Sequence, residues 1–256
     1  MTYEKLTENI YVYRNNGYYD VTVGAIVLPS KVVMIDTGMS KEEAKEFRDH
    51  VEKETGKKCE VLFITHFHGD HIRGIQAFSD CRIIVSEPAY KILSSEENMP
   101  KLEANNLLEI IDGDVKIIFK LTGGHSDDSA YVYCPNYQVL FGGDNIFENM
   151  FPYGQDKTSN PEVWISAFIE YLDLDVEYFV PGHQYLASKE IINGYIDFIK
   201  QMKKTMLEMH SIGKSKEEIL EHCFSLNPFE NTLIDENLDS LKTRTLENWF
   251  NLWIEK

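Results

Sequence analysis

Over the first two thirds of the chain, short β-branched and aromatic runs alternate with charged stretches of helical character. The apolar runs Ile10–Tyr13, Val21–Leu28, Lys31–Ile35, Glu60–Thr65 and Arg82–Val85 are too short for helices and predict strands. Val115–Leu121, Ala130–Tyr133 and Val139–Phe141 follow as successive strands broken by Gly, Asp and Pro-Asn turns. Val176–Val180 is the last, stopped by Pro181-Gly182. Between them, Ser40 is placed to cap a helix through Glu54. Glu87–Ser94 predicts another, and Pro161 opens a third through about Leu172. After Ser188 the period changes: Ile191, Ile192, Tyr195, Ile196, Ile199 and Met202 recur at helical spacing. Glu217–Cys223 and Leu238–Ile254 predict two more helices. The pattern gives an α/β chain, with residues 1–187 as one domain and 188–256 as a helical extension packed on it.

Hydrophobic residues make up 43% of the 256, enough for a sizeable core. The formal net charge is −17, and residues 1–185 carry 16 basic against 30 acidic side chains. Neutralising phosphates needs clustered Lys and Arg, so broad binding to nucleic acid or an anionic membrane is not expected. No apolar stretch is long enough to span a bilayer, and the polar segment Met1–Asn9 lacks the core of a signal peptide. These features lead to an expectation of a cytoplasmic protein. Cys59, Cys81, Cys134 and Cys223 form no CxxC pair and read as reduced, buried thiols.

The segment Thr65-His66-Phe67-His68-Gly69-Asp70-His71 carries the chemistry. A strand running out at Thr65 leaves His66 and His68 two residues apart, so both imidazoles point the same way and can reach one cation. Gly69 allows a bend, and Asp70 and His71 then open a helix from which they reach a second point nearby. Four other strand-like runs also end in Gly-containing turns with an aspartate or histidine: Asp36-Thr37-Gly38, Gly123-Gly124-His125, Gly142-Gly143-Asp144 and Gly182-His183. Loops at one edge of an α/β sheet are where ligand sites gather. Five of the eight histidines fall in these turns, leaving His50, His210 and His222 as ordinary residues.

With this series of motifs in order, the chain resembles a metallo-β-lactamase superfamily hydrolase over roughly residues 10–185. The resemblance implies an αββα four-layer sandwich, with a helical C-terminal segment here. It implies two divalent metal ions: His66, His68 and His125 for the first, Asp70, His71 and His183 for the second, Asp144 bridging both, and Asp36 supporting a ligand histidine. Five imidazoles and two carboxylates suit zinc first, and also iron or manganese. The implied reaction is hydrolysis by a metal-bridging hydroxide of a small ester, thioester, lactone or phosphodiester, with Asp70 orienting the hydroxide or shuttling its proton. Two divalent ions leave such a site slightly positive inside an acidic protein, which suits an electron-rich or anionic small-molecule substrate.

The branches of the family differ in detail. True β-lactamases usually carry Cys or Ser near the position of Asp144, flavodiiron proteins generally carry Glu where His68 stands, and acyl-homoserine lactonases carry a tyrosine where Phe147 stands. A mononuclear iron oxygenase of the persulfide dioxygenase type is the alternative enzyme. A non-catalytic metal- or partner-binding module is the alternative of another class. Asp127 and Asp128 read as a charged turn, and Phe147, Phe151 and Tyr153 as either a pocket wall or core. Leu241, Leu246, Trp249, Phe250 and Trp253 read as helix packing, and Lys242 and Arg244 as a solvated face. No substrate-binding residue and no oligomeric state are assigned.

Overall fold

A computed structural model describes residues 2–15, 20–229 and 238–255. Two sheets lie face to face. The first runs in chain order through β1 (Thr2–Thr7), β2 (Ile10–Arg14), β3 (Thr22–Val27), β4 (Val32–Ile35), β5 (Cys59–Phe63), β6 (Arg82–Val85) and β7 (Leu102–Ala104). It is antiparallel from β1 to β4 and parallel from β4 to β7. The second contains β8 (Leu107–Asp112), β9 (Val115–Leu121), β10 (Ala130–Cys134), β11 (Val139–Gly143) and β12 (Tyr178–Pro181). Its strands are antiparallel except for the β11–β12 pair.

Strand alternation divides the apolar residues between layers. Val33 and Ile35 of β4, with Val61 and Phe63 of β5, meet Ile117, Phe119, Val132 and Phe141 of the second sheet in the central layer. The opposite faces of the same strands, Met34 and Leu62, pack beneath α1 (Lys41–Thr55) and α3 (Glu87–Leu93). Tyr131 and Tyr133, on the outer face of β10, meet α4 (Pro161–Asp173), α5 (Lys189–Ser211), α6 (Lys216–Ser225) and α7 (Leu238–Ile254). The order of layers is helix, sheet, sheet, helix. Strands buried on both faces lose the polar alternation of an exposed sheet, which is why their sequences read as continuous apolar runs. No described helix is long and apolar enough to cross a membrane.

The expected helix starts coincide with side-chain caps. Ser40 accepts from the Glu43 N–H, Asn160 from the N–H groups of Glu162 and Val163, and Ser188 from the Ile191 N–H. Three strands escaped the pattern. β1 is a mostly polar edge strand, and β7 has three residues. β8 is a half-exposed edge strand tied to β9 by a turn at Gly113, whose φ is +63°. Edge strands bury little and so carry weak hydrophobic periodicity.

The two sheets interlock through Phe63 and Phe119, which are stacked with ring centroids 5.2 Å apart and planes inclined by 11°. Both rings are fully buried. Phe119→Ala is expected to lower the unfolding free energy by about 3–5 kcal/mol, measured by denaturant titration. A loss below about 1 kcal/mol would show that this contact does not hold the sheets together.

Candidate metal centre

The turns that end β5, β9, β11 and β12 converge on one side of the sandwich and bring seven side chains into two groups. One group is His66, His68, His125 and Asp144; the other is Asp70, His71 and His183. Within each group the potential ligand atoms lie within 4.8 Å of one another. His68 Nδ1 is 3.0 Å from His125 Nε2. Asp144 stands between the groups. Its Oδ2 is 3.7 Å from His66 Nε2 and 3.6 Å from His125 Nε2. Its Oδ1 is 3.1 Å from His71 Nε2 and 3.3 Å from His183 Nε2. Asp70 Oδ2 closes the second group at 3.4 Å from His183 Nε2.

The backbone makes this approach possible. β11 and β12 are parallel neighbours, and the Gly182 N–H donates to the Gly143 carbonyl at 2.9 Å. A Cβ on Gly182 would stand 2.0 Å from Asp144 Oδ1. Gly143 has φ +52°, and a Cβ there would meet Thr65 Oγ1 at 2.5 Å. Only glycine fits either position without displacing the site. Gly69, in contrast, has ordinary helical backbone at the start of α2 (Gly69–Ile72), so the bend needs no left-handed residue. Its small size instead leaves room for Arg73, whose Nε would lie 3.3 Å from a Cβ at that position.

Hydrogen bonds behind the rings set their orientations. Asp36 is buried, and its Oδ2 accepts from His71 Nδ1 at 2.9 Å and from Thr65 Oγ1 at 2.7 Å. Thr65 Oγ1, its proton given to Asp36, is the acceptor for His66 Nδ1–H at 3.2 Å. His125 Nδ1–H donates to the Tyr153 carbonyl at 2.5 Å. Each of these bonds turns Nε2 toward the cluster, the orientation a cation requires. Asp36 thus orients one imidazole directly and a second through Thr65.

Protonation follows the balance of burial and charge. Burial drives His66 well below its usual range, assisted by repulsion from His71, and drives His125 down to about 4. His71 is raised well above its usual value: burial opposes the charged form, but Asp144, Asp70 and Asp36 outweigh it. Asp144 is held well below the carboxylate range despite its burial, by His183, His71 and His66. Among the described residues, His66 Nε2, His71 Nε2 and Asp144 Oδ1 are buried without a well-formed hydrogen bond, although His71 Nε2 and Asp144 Oδ1 lie 3.1 Å apart. Buried polar atoms without such a bond are rare and destabilising, and three of them in a cluster of seven ligand-type side chains fit a bound divalent cation.

A cavity of about 300 Å³ opens onto the cluster. His68, Asp70, His125, Asp144 and His183 form its floor, and Phe147, Met150, Tyr153, Leu238 and Leu241 its apolar wall. Phe147 and Tyr153 therefore face the cavity, Phe147 stacked on His183 at 6.0 Å. Phe151 belongs to the core, against Phe198 and Trp249. Leu241 lines the cavity while Leu246, Trp249 and Phe250 are buried in the helical layer. Lys242 is buried rather than solvated; its ammonium lies 3.6 Å from Asp239 and over the Phe224 ring.

Three residues of this site carry no obvious sequence signal. Among the described residues, Arg73 is the one lysine or arginine lining the cavity and makes no ion pair; its Nη1 donates to Met39 Sδ at 3.7 Å. Asn145 accepts the His125 N–H at 2.9 Å and donates to the Gly123 carbonyl at 2.8 Å, which fixes the His125 turn. Asp128 is buried rather than part of an exposed turn. Its Oδ2 accepts the Phe67 N–H at 2.7 Å, between His66 and His68, and burial raises its carboxyl to about 6. Its meaning depends on a contact 61 positions away, which spacing alone does not reveal.

Asp128→Ala leaves the Phe67 N–H without its acceptor. It is expected to lower stability by about 1–3 kcal/mol and to weaken metal binding about 10-fold or more, measured by denaturation and by competition with a chromophoric chelator. Asp128→Asn retains an acceptor oxygen and should show the smaller effect. Equal metal affinity in wild type and Asp128→Ala would remove this residue from any role in holding the histidine loop.

Comparison with known proteins agrees with this geometry. The chain is 26% identical over 215 residues to a protein named Metallo-beta-lactamase type 2 from Bacillus sp. (strain 170), covering 77% of this chain and 81% of that one. It is 25% identical over 203 residues to the Beta-lactamase-like protein 2 homolog of Caenorhabditis elegans, covering 74% and 64% of the two chains. Among solved structures, a metallo-beta-lactamase from Pontibacter korlensis superposes with a TM-score of 0.67 at 18% identity, covering 78% of this chain and 98% of that one. At that identity the superposition speaks for the fold. The profile of the Metallo-beta-lactamase superfamily matches residues 17–183, a span that contains all seven clustered side chains, and the chain belongs to that superfamily.

Proposed function

We propose that this protein is a metal-dependent hydrolase with two divalent cations, acting on a small ester, thioester, lactone or phosphodiester. The observation that carries the reading is the position of Asp144, with one carboxylate oxygen turned to each ligand group. His66, His68 and His125 would hold one cation, Asp70, His71 and His183 the other, and Asp144 both. All seven ligands are nitrogen or oxygen donors, which favours zinc, with iron or manganese also accommodated. When bound, such cations lower the pKa of a coordinated water and polarise a substrate oxygen.

The protein's own groups supply the rest. Asp70 belongs to the second group and also lines the cavity, so its carboxylate can take a proton from an attacking water and return it to the leaving group. Phe147, Met150, Tyr153 and Leu241 keep bulk water from one side and receive the apolar part of a substrate. Arg73 offers its guanidinium to a carboxylate or phosphate on the substrate. A single-iron centre leaves the second group without a purpose, and a purely structural metal site would not open onto a cavity.

The test is turnover by metal-loaded protein of a panel of esters, thioesters, lactones and phosphodiesters. A β-lactam joins the panel because of the name of the Bacillus relative. At least one ester-like or phosphodiester substrate should be hydrolysed, with kcat reduced about 10²–10⁴-fold in Asp70→Asn. For an anionic substrate, Arg73→Ala should raise KM about 10-fold and leave the neutral isostere unaffected. Protein with both cations bound but no turnover of any panel member would contradict the reading.

A further inference from the structure

Two of the four cysteines, far apart in sequence, meet at the ends of β5 and β6 that lie away from the histidine loop. Cys59 opens β5, and Cys81 immediately precedes β6, its parallel neighbour. Their sulfurs are 3.7 Å apart, and both are free thiols. Bringing them to the bonded separation of about 2.05 Å requires each to move by less than about 1 Å. Cys59 is buried and Cys81 half-buried, so an external reagent reaches Cys81 first.

The surroundings distinguish the two sulfurs further. Arg48 runs alongside the pair, donating to Asp80 at 2.6 and 2.7 Å, to Glu52 at 3.1 Å and to the Ala77 carbonyl at 2.8 Å. Glu52 in turn accepts the Cys59 N–H at 3.0 Å. As a thiol, Cys81 donates to the Cys59 carbonyl at 3.3 Å; as a thiolate it would accept from the Cys59 thiol, which together with Arg48 favours ionisation, while burial and Asp80 oppose it. The same contact and burial hold Cys59 protonated. One half-buried thiol 3.7 Å from one buried thiol is the arrangement of an attacking and a resolving cysteine.

We propose that Cys59 and Cys81 form a thiol–disulfide exchange site for a low-molecular-weight disulfide. The Cys81 thiolate attacks one sulfur of the disulfide RSSR, forming a Cys81–SR mixed disulfide and releasing RS⁻, which takes up a proton. Cys59 then loses its proton to solvent, attacks the Cys81 sulfur and expels the second RS⁻, which is protonated in turn. Two protein thiols are oxidised to one disulfide and one RSSR is reduced to two RSH. The closed loop, residues 59–81, contains His66, His68, Asp70 and His71, so the bond would restrain the segment that carries most of the metal-ligand motif. The exchange chemistry does not rest on the hydrolase reading.

The full chain is incubated with oxidised glutathione, quenched in denaturant with an alkylating agent, and analysed by intact mass and peptide mapping. Wild type should lose two hydrogens and yield a peptide linking Cys59 to Cys81, with Cys134 and Cys223 alkylated. Cys59→Ser should instead accumulate a mixed disulfide at Cys81, and Cys81→Ser should leave Cys59 alkylated. The oxidised, chelator-treated protein should also melt several degrees higher than its reduced form. Four alkylated cysteines at every oxidant concentration, or a stable glutathione adduct on wild-type Cys81, would overturn the proposal. An unchanged melting temperature in cross-linked protein would overturn the restraint assigned to the loop.

Discussion

Asp144 carries a carboxylate into a place that water scarcely reaches, and the rest of the site is arranged around that burial. An ionised carboxylate loses its hydration on entering a protein interior, and the loss is tolerated only when opposite charge or strong donors replace it. His66, His71, His125 and His183 surround the two oxygens, yet no more than some of these imidazoles can be protonated together. Burial and mutual repulsion keep His66 and His125 neutral while His71 and His183 are driven the other way. Protons alone therefore satisfy the cluster unevenly. The proposed pair of divalent cations would give partners to the two nitrogens and one oxygen that make no well-formed hydrogen bond there.

That constraint propagates outward into the fold. Asp144 reaches its place because Gly143, at the end of β11, and Gly182, just past β12, lie side by side, and Gly182 leaves no space for a Cβ next to the carboxylate. His66, His71 and His125 hold their orientations because Thr65, Asp36 and the Tyr153 carbonyl stand behind them. Asp36 itself sits at φ +59° at the end of β4, a conformation of modest strain that turns its carboxylate back toward Thr65 and His71. The sandwich core, with its stacked Phe63 and Phe119, fixes the strands whose ends carry these groups. The helical layer contributes the cavity wall through Leu238 and Leu241 of α7.

Much of this was legible in the chain itself. The two-residue spacing of His66 and His68 implied a shared direction, and both rings do face one ligand group. The repeated run of a strand followed by a glycine turn and an acid or imidazole placed the remaining clustered residues at strand ends, where the fold assembles them. What escaped had physical reasons. β1, β7 and β8 bury too little to imprint a period. Asp128 and Asn145 act through backbone groups of distant loops, so their composition looks like ordinary turn sequence. Arg73 takes its position from the open space above Gly69, and the meeting of Cys59 with Cys81 depends on β5 and β6 being neighbours. Contacts of this kind belong to the tertiary structure and leave no local trace.

Under the proposed function, the buried carboxylate of Asp144 would join two cation sites. Elemental analysis after equilibrium dialysis against zinc measures it directly, comparing wild type with Asp144→Asn. Two zinc ions per wild-type chain and loss of at least one in the variant are expected. One ion per chain in wild type, or an unchanged two in Asp144→Asn, would contradict this role of Asp144.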